Sequence, residues 1–308
     1  MRALLCGSFD AAERDDWLQA LRQAVPEVGW CLEPDPEVEV AVVANPPPHQ
    51  LQGLPRLRLI QSLWAGVDRL LADPTLPPDV PIARMVDPAM SAAMAQTALW
   101  SVLSLHRGFF RYAEQQRSAL WQPLPQRRAD EVAVLVLGLG EMGRRTALAL
   151  QAQGYAVRAW RHSGGAHAEP FEVGSGPAAL APLLGRSDIV LNLLPLTPAT
   201  RGLLDQAFFA ALRPGAALVN LARGAHVVDD DLLAALDAQQ VGHAVLDVFH
   251  TEPLPPEHRY WRHPRVTVLP HAAALTDPRS AAQVVACNLR ALRGGEPLQH
   301  LVQRERGY

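Results

Sequence analysis

The chain has 308 residues, enough for about two domains of ordinary size. Hydrophobic residues make up 49% and charged residues 19%, which excludes a disordered or fibrous chain, and the formal charge of −3 gives no general attraction to nucleic acid or anionic lipid. All 28 basic residues are arginine, which excludes Schiff-base chemistry, a P-loop lysine and a Ser–Lys nucleophile pair.

The first block alternates short strands with helices. Ala3 to Cys6, Val38 to Val43, Leu57 to Gln61 and Ile82 to Arg84 read as strands, and Glu13 to Ala24 as a helix capped by Asp10. The N-terminus reaches Asp10 too soon to hold a signal-peptide core. Pro88 to His106 is uncharged, but its polar residues and one-sided apolar stripe fit a buried soluble helix, not a membrane span. The helical pattern from Ser91 to Arg117 reads as a bridge between domains. The cysteines Cys6, Cys31 and Cys287 have neither zinc nor redox spacing, so no metal is expected and a reducing cytoplasm fits.

A second block begins near Glu131. Val132 to Leu137 is a continuous apolar run, as for a parallel strand buried on both faces. Further strands are expected at Ala156–Trp160, Ile189–Leu194, Ala217–Leu221, Ala244–Phe249 and Val266–Leu269. Helices are expected at Arg144–Gln153, Gln206–Leu212 (capped by Asp205), Asp230–Gln239 (capped by Asp229) and Pro278–Arg293, the last stopping at Gly294-Gly295. This alternation predicts a doubly wound parallel α/β sheet.

Directly after the Val132–Leu137 strand comes Gly138-Leu139-Gly140-Glu141-Met142-Gly143. A GxGxxG between a buried strand and a helix is a dinucleotide fingerprint. Gly138 permits the tight turn, Gly140 lets a pyrophosphate reach the backbone, and Gly143 lets helix and strand pack closely. Glu141 and Met142 open the helix whose amides would face the phosphates. About 20 residues on, an acid normally binds the ribose hydroxyls of NAD. Here Trp160-Arg161-His162-Ser163 stands there without a carboxylate. Arg161, helped by His162 or Ser163, would pair with a 2′-phosphate, so NADPH is expected over NADH.

Three later segments end predicted strands: Asn220-Leu221-Ala222-Arg223-Gly224, Leu246-Asp247-Val248-Phe249-His250-Thr251-Glu252-Pro253, and Leu269-Pro270-His271-Ala272. Ligands of open α/β sheets bind at such carboxyl ends. With Leu63-Trp64-Ala65-Gly66-Val67-Asp68, Trp121-Gln122-Pro123-Leu124-Pro125 and the Arg304–Tyr308 tail, these segments resemble the D-isomer-specific 2-hydroxyacid dehydrogenase family, and most closely its glyoxylate/hydroxypyruvate reductase branch.

That resemblance implies two Rossmann-like domains, residues 1–100 with 276–308 for substrate and 101–275 for dinucleotide, with the active site in the cleft between them. It implies His271 as general acid, Glu252 orienting its ring, and Arg223 binding the substrate carboxylate and polarising the carbonyl. Backbone amides of Trp64, Ala65, Gly66 and Val67 would hold the carboxylate, and the Trp64 indole would favour short substrates. Leu194 and Pro195 would line the nucleotide, and Asp247 would sit near the nicotinamide or cap its loop. Trp121 either crosses a homodimer interface toward the partner's active site or packs on the bridging helix. His226, His250 and His263 are read as solvated or structural, and Asp229-Asp230-Asp231 as a helix start. The expected activity is NADPH-preferring reduction of glyoxylate and hydroxypyruvate. The alternatives are another 2-hydroxy acid on the same fold, or a nucleotide-sensing interaction protein.

Overall fold

The computed structural model describes residues 1–162 and 168–308. In chain order it forms β1 (Arg2–Gly7), α1 (Ala11–Ala24), β2 (Gly29–Cys31), β3 (Val40–Ala44), β4 (Leu59–Ser62), α2 (Asp68–Leu71), β5 (Ile82–Ala83), α3 (Pro88–Arg107), α4 (Phe109–Arg117), β6 (Ala133–Leu137), α5 (Glu141–Ala152), β7 (Ala156–Arg161), β8 (Glu172–Ser175), α6 (Pro177–Leu184), β9 (Ile189–Asn192), α7 (Gln206–Ala210), β10 (Ala216–Asn220), α8 (Asp229–Asp237), β11 (Val241–Leu246), β12 (Val266–Val268) and α9 (Pro278–Gly294). Two compact units result: Met1–Met90 with Leu275–Tyr308, and Ser91–Ala274. The division falls after Met90, inside α3, rather than after residue 100, because Met94, Ala98 and Val102 of that helix belong to the second unit's core.

The first unit holds a parallel five-stranded sheet ordered β2-β1-β3-β4-β5. Every residue of β3 is buried, as a central parallel strand requires. Asp10 caps α1 in a full capping box with Glu13.

In the second unit seven parallel strands are ordered β12-β11-β10-β9-β6-β7-β8. Side chains of β6 alternate between two cores. Val134 and Val136 join Ala98 and Val102 of α3 and Ala147 and Leu150 of α5. Leu135 and Leu137 join Leu183 of α6, Phe208 and Phe209 of α7, and Leu232 and Leu236 of α8. This two-sided burial explains the unbroken apolar run. Strand order reverses between β6 and β9, the switch point where such sheets bind ligands.

Three expectations need correcting. The bridging helix is two helices, because Gly108 adopts the left-handed conformation (φ +71°) and stops α3. The edge strands β2 and β8 and the helix α6 went unpredicted; both strands are short and half exposed and carry no strong alternation. Asp229 does not cap α8 but lies in its first turn, where its carboxylate accepts the Tyr260 hydroxyl at 2.8 Å.

His243 on β11 stacks flat on Phe110 of α4, with ring centroids 4.6 Å apart, and its Nε2 meets Thr267 Oγ1 at 2.9 Å. Burial, reinforced by the charges of His263 and Arg265, depresses its pKa from 6.5 to about 4. The unfolded chain therefore takes up this proton below pH 6.5 while the folded chain does not. This stabilisation is complete above pH 6.5 and is lost as the pH falls toward 4, at most about 3 kcal/mol. Urea midpoints from pH 7 to 4 should fall more steeply for the wild type than for His243→Gln. Parallel curves would show that His243 contributes nothing to acid lability.

Candidate active site

Two glycines of the turn after β6 stand where no side chain fits. Gly138 ends β6 at φ +96°, and a Cβ there would lie 2.8 Å from the Leu193 carbonyl oxygen. At Gly143 a Cβ would lie 1.9 Å from the Gly138 oxygen, so that glycine lets α5 close onto β6. Gly140 differs, since a Cβ there meets nothing within 4 Å. Open space thus faces the start of α5, whose first intrahelical bond runs from Arg144 N–H to Gly140 O and which has no side-chain cap. The amides of Glu141, Met142 and Gly143 are the helix's orphan donors. The Glu141 side chain is exposed and Met142 packs against the core, so both offer backbone only. A cradle of this shape fits a pyrophosphate.

The end of β7 only partly matches its sequence reading. Trp160 is fully buried and its Nε1–H donates to Gly176 O at 2.9 Å, so its indole belongs to the core. Its carbonyl accepts Gly138 N–H and so braces the glycine turn. Arg161 reaches Ser175 Oγ at 3.3 Å, and exposed His162 lies edge-on to Trp160. Ser163 lies outside the described residues. At the other side of the switch point, Leu194 is buried and Pro195 exposed.

The chemistry-bearing residues converge in the second unit. His271 Nδ1 lies 2.7 Å from Glu252 Oε2, and Glu252 Oε1 accepts Phe249 N–H at 2.9 Å. One carboxylate therefore ties the ring to the loop that carries it. The ring is 51% exposed, and its Nε2 has no partner among the described residues. His271 sits in the left-handed region (φ +54°), a conformation that costs a non-glycine residue roughly 1 kcal/mol or more.

Asp247 holds it there. Its carbonyl accepts His271 N–H at 2.8 Å, and its carboxylate accepts Ala272 N–H at 2.8 Å and Ala273 N–H at 3.0 Å. Asp247 is 1% exposed, and burial raises its pKa against the opposing pull of those two amides. Of the two sequence readings for Asp247, its contacts here are those of a loop clamp.

Arg223 is half buried, with Nη1 donating to Ala222 O at 2.7 Å. The next residue, Gly224, lies so close to Phe249 that a Cβ would fall 2.0 Å from its carbonyl carbon. Beneath Arg223 lie Asn192, Asn220 and His226, all fully buried and mutually hydrogen-bonded. Sequence reasoning quotes Asn220 without a role of its own and passes over Asn192, although both end apolar strand runs and so sit at a sheet's carboxyl edge. His226 is buried, while His263 and His250 reach the surface elements around Asp237 and Val227.

In the first unit, Trp64 packs edge-on against buried Trp17, with centroids 6.4 Å apart. Its N–H is committed to Ser62 Oγ at 3.1 Å, so Trp64 is not among the available donors. The amides of Ala65, Gly66 and Val67 have no acceptor among the described residues. Trp121 is 98% exposed, which removes the reading in which it packs on the bridging helix. Among the described residues, no group of three or more His, Cys, Asp or Glu side chains could hold a metal, and no helix is long and apolar enough to cross a membrane.

Known proteins resemble this chain over almost its whole length. Residues 99–273 match the family model for D-isomer specific 2-hydroxyacid dehydrogenase, NAD binding domain. The chain is 40% identical over 302 residues to glyoxylate/hydroxypyruvate reductase A of Serratia proteamaculans (strain 568), covering 96% of each. A D-isomer specific 2-hydroxyacid dehydrogenase from Xanthobacter autotrophicus Py2, solved with NADPH and MES, superposes with a TM-score of 0.94 at 39% identity over 99% of both chains. The NADPH-dependent glyoxylate/hydroxypyruvate reductase of Sinorhizobium meliloti, solved with NADP and sulfate, gives 0.92 at 34% identity over 100% of this chain and 99% of that one. This chain belongs to the D-isomer specific 2-hydroxyacid dehydrogenase family and is an NAD(P)-dependent oxidoreductase.

Proposed function

We propose that this protein reduces small 2-oxo acids, glyoxylate and hydroxypyruvate, with NADPH as its preferred reductant. The observation that carries the reading is the His271–Glu252 pair at 2.7 Å, with the Nε2 edge of the ring left for a substrate oxygen. When bound, the nicotinamide supplies the hydride. His271 donates the Nε2 proton to the carbonyl oxygen as charge develops there, and Glu252 stabilises the protonated ring and fixes its angle. Arg223 binds the substrate carboxylate and polarises the carbonyl. The amides of Ala65, Gly66 and Val67 are the donors we assign to the same carboxylate, and the Trp64 indole, seated on Trp17, limits chain length. Gly138, Gly140 and Gly143 and the α5 amides hold the pyrophosphate. Arg161 reads the 2′-phosphate, a role supported by the lack of a carboxylate at the end of β7 and by the NADP(H) bound in the two solved relatives. We assign the exposed Leu120–Trp121 segment to a homodimer interface, and the three free thiols fit a reducing cytoplasm.

The test is oxidation of NADPH and of NADH, in parallel, against glyoxylate, hydroxypyruvate and pyruvate. Rapid consumption of NADPH with the two short substrates is expected, and Arg161→Ala should weaken NADPH far more than NADH. Equal weakening would remove Arg161 from the 2′-phosphate site. NADPH binding without turnover of any 2-oxo acid would favour the nucleotide-sensing alternative.

A further inference from the structure

We infer that His226 is a positioning residue that, together with Asn192, locks the Arg223 loop to the loop at Leu194-Pro195, so that nucleotide engagement and the placement of Arg223 are coupled through a buried network that its imidazole completes. The inference rests on the roles proposed above for those two loops.

The coupling starts from sheet register. Asn192 and Asn220 end adjacent parallel strands and are direct partners across β9 and β10. Both are fully buried, so their amides must be satisfied inside the protein. Asn192 Nδ2 donates to Asn220 Oδ1 at 3.0 Å and to His226 Nδ1 at 3.1 Å, while its Oδ1 accepts Leu194 N–H at 3.2 Å. Asn220 Nδ2 donates to the Arg223 carbonyl at 3.0 Å. His226 completes the set, its Nε2 lying 3.3 Å from Pro195 O.

These partners fix the tautomer, because Nδ1 must accept and Nε2 must carry the hydrogen. Every donor and acceptor in the chain Pro195–His226–Asn192–Asn220–Arg223 is then assigned, with Asn192 donating both ways. Gly224 packs so closely on Phe249 that no side chain fits there, which seats the backbone directly after Arg223 against its neighbour. A buried network of this kind has few alternative arrangements, so displacement of one loop is felt by the other.

Two substitutions separate its halves. In His226→Gln the terminal amide reaches the place of Nε2 and can still donate to Pro195, but the acceptor for Asn192 is lost. In His226→Asn the side-chain oxygen replaces Nδ1, and the bond to Pro195 is lost. We expect His226→Gln to lower kcat/KM for the 2-oxo acid by about tenfold to a hundredfold, with the NADPH Kd within about threefold. For His226→Asn we expect the NADPH Kd to weaken by about tenfold. A purely structural role would lower kcat/KM and weaken NADPH binding together, in step with the folded fraction, and that result, or wild-type constants in both variants, would overturn the inference.

The wild-type protein gives a test that does not depend on the variants folding. The ¹⁵N shifts of the His226 ring should report Nε2–H with a bare Nδ1, and should move on saturation with NADPH. Unmoved shifts under proven NADPH binding would overturn the coupling. Arg223→Ala, assayed in parallel, separates this inference from the functional reading. Full turnover without Arg223 would remove the reading itself, whereas lost turnover there with unchanged His226 variants would remove only the coupling.

Discussion

Replacing His271 with alanine should lower kcat by about two to four orders of magnitude while NADPH still binds. The His271 ring is held by a carboxylate through one nitrogen and presents the other to solvent. Its Nδ1 is held by Glu252 at 2.7 Å, which leaves Nε2 as the donor. Nucleotide binding is assigned to the glycine turn and the α5 amides, so the substitution separates turnover from binding. Steady-state kcat and the NADPH Kd of the purified variant are the measurements. Retained activity in His271→Ala would remove its ring as the proton donor.

Asp247→Ala should be nearly as damaging, by another route. Its carboxylate accepts two successive amides of the His271 loop, and its carbonyl accepts the amide of His271 itself. Without the carboxylate the buried Ala273 N–H has no acceptor, at a cost of about 1–3 kcal/mol. The left-handed His271 then keeps only its amide bond to the carbonyl of residue 247 and its ring contact with Glu252, and relaxation of the Ala272–Ala273 backbone displaces the ring. A displacement of about 1 Å at a reacting group costs roughly a hundredfold in rate. We expect a kcat loss of that order together with a lower unfolding midpoint, and a smaller loss for Asp247→Asn, which keeps one acceptor oxygen. A full kcat in Asp247→Ala at a temperature where the protein is folded would show that the clamp does not position His271.

Much of this was legible from local pattern. An apolar run followed by GxGxxG requires a buried strand, a turn and a helix start, because each glycine answers a steric demand within a few residues. The central strands β1, β3, β4, β6, β9, β10 and β11 announced themselves for the same reason, since burial on both faces leaves a continuous apolar signature. Edge strands such as β8 escaped because one side faces solvent and the residues are free to be polar. Trp160 was misplaced for a related reason. Its position beside Arg161 marked the right strand end, but period-two alternation turns neighbouring side chains to opposite faces, and only packing showed which face the indole takes.

The sequence by itself determined the α/β architecture, the nucleotide turn and the missing carboxylate after β7, which follow from residue type and short spacing. Arg223, Glu252 and His271 came forward as candidates through the family resemblance. Only the tertiary structure decided that Asp247 clamps a strained His271, that Ser62 occupies the Trp64 amide, and that Asn192, Asn220 and His226 form one buried network. The Asp247 and His226 contacts join residues about 25 to 35 positions apart along the chain. Hydrogen-bond partners at that separation are set by strand order and register across the sheet, which no local periodicity encodes.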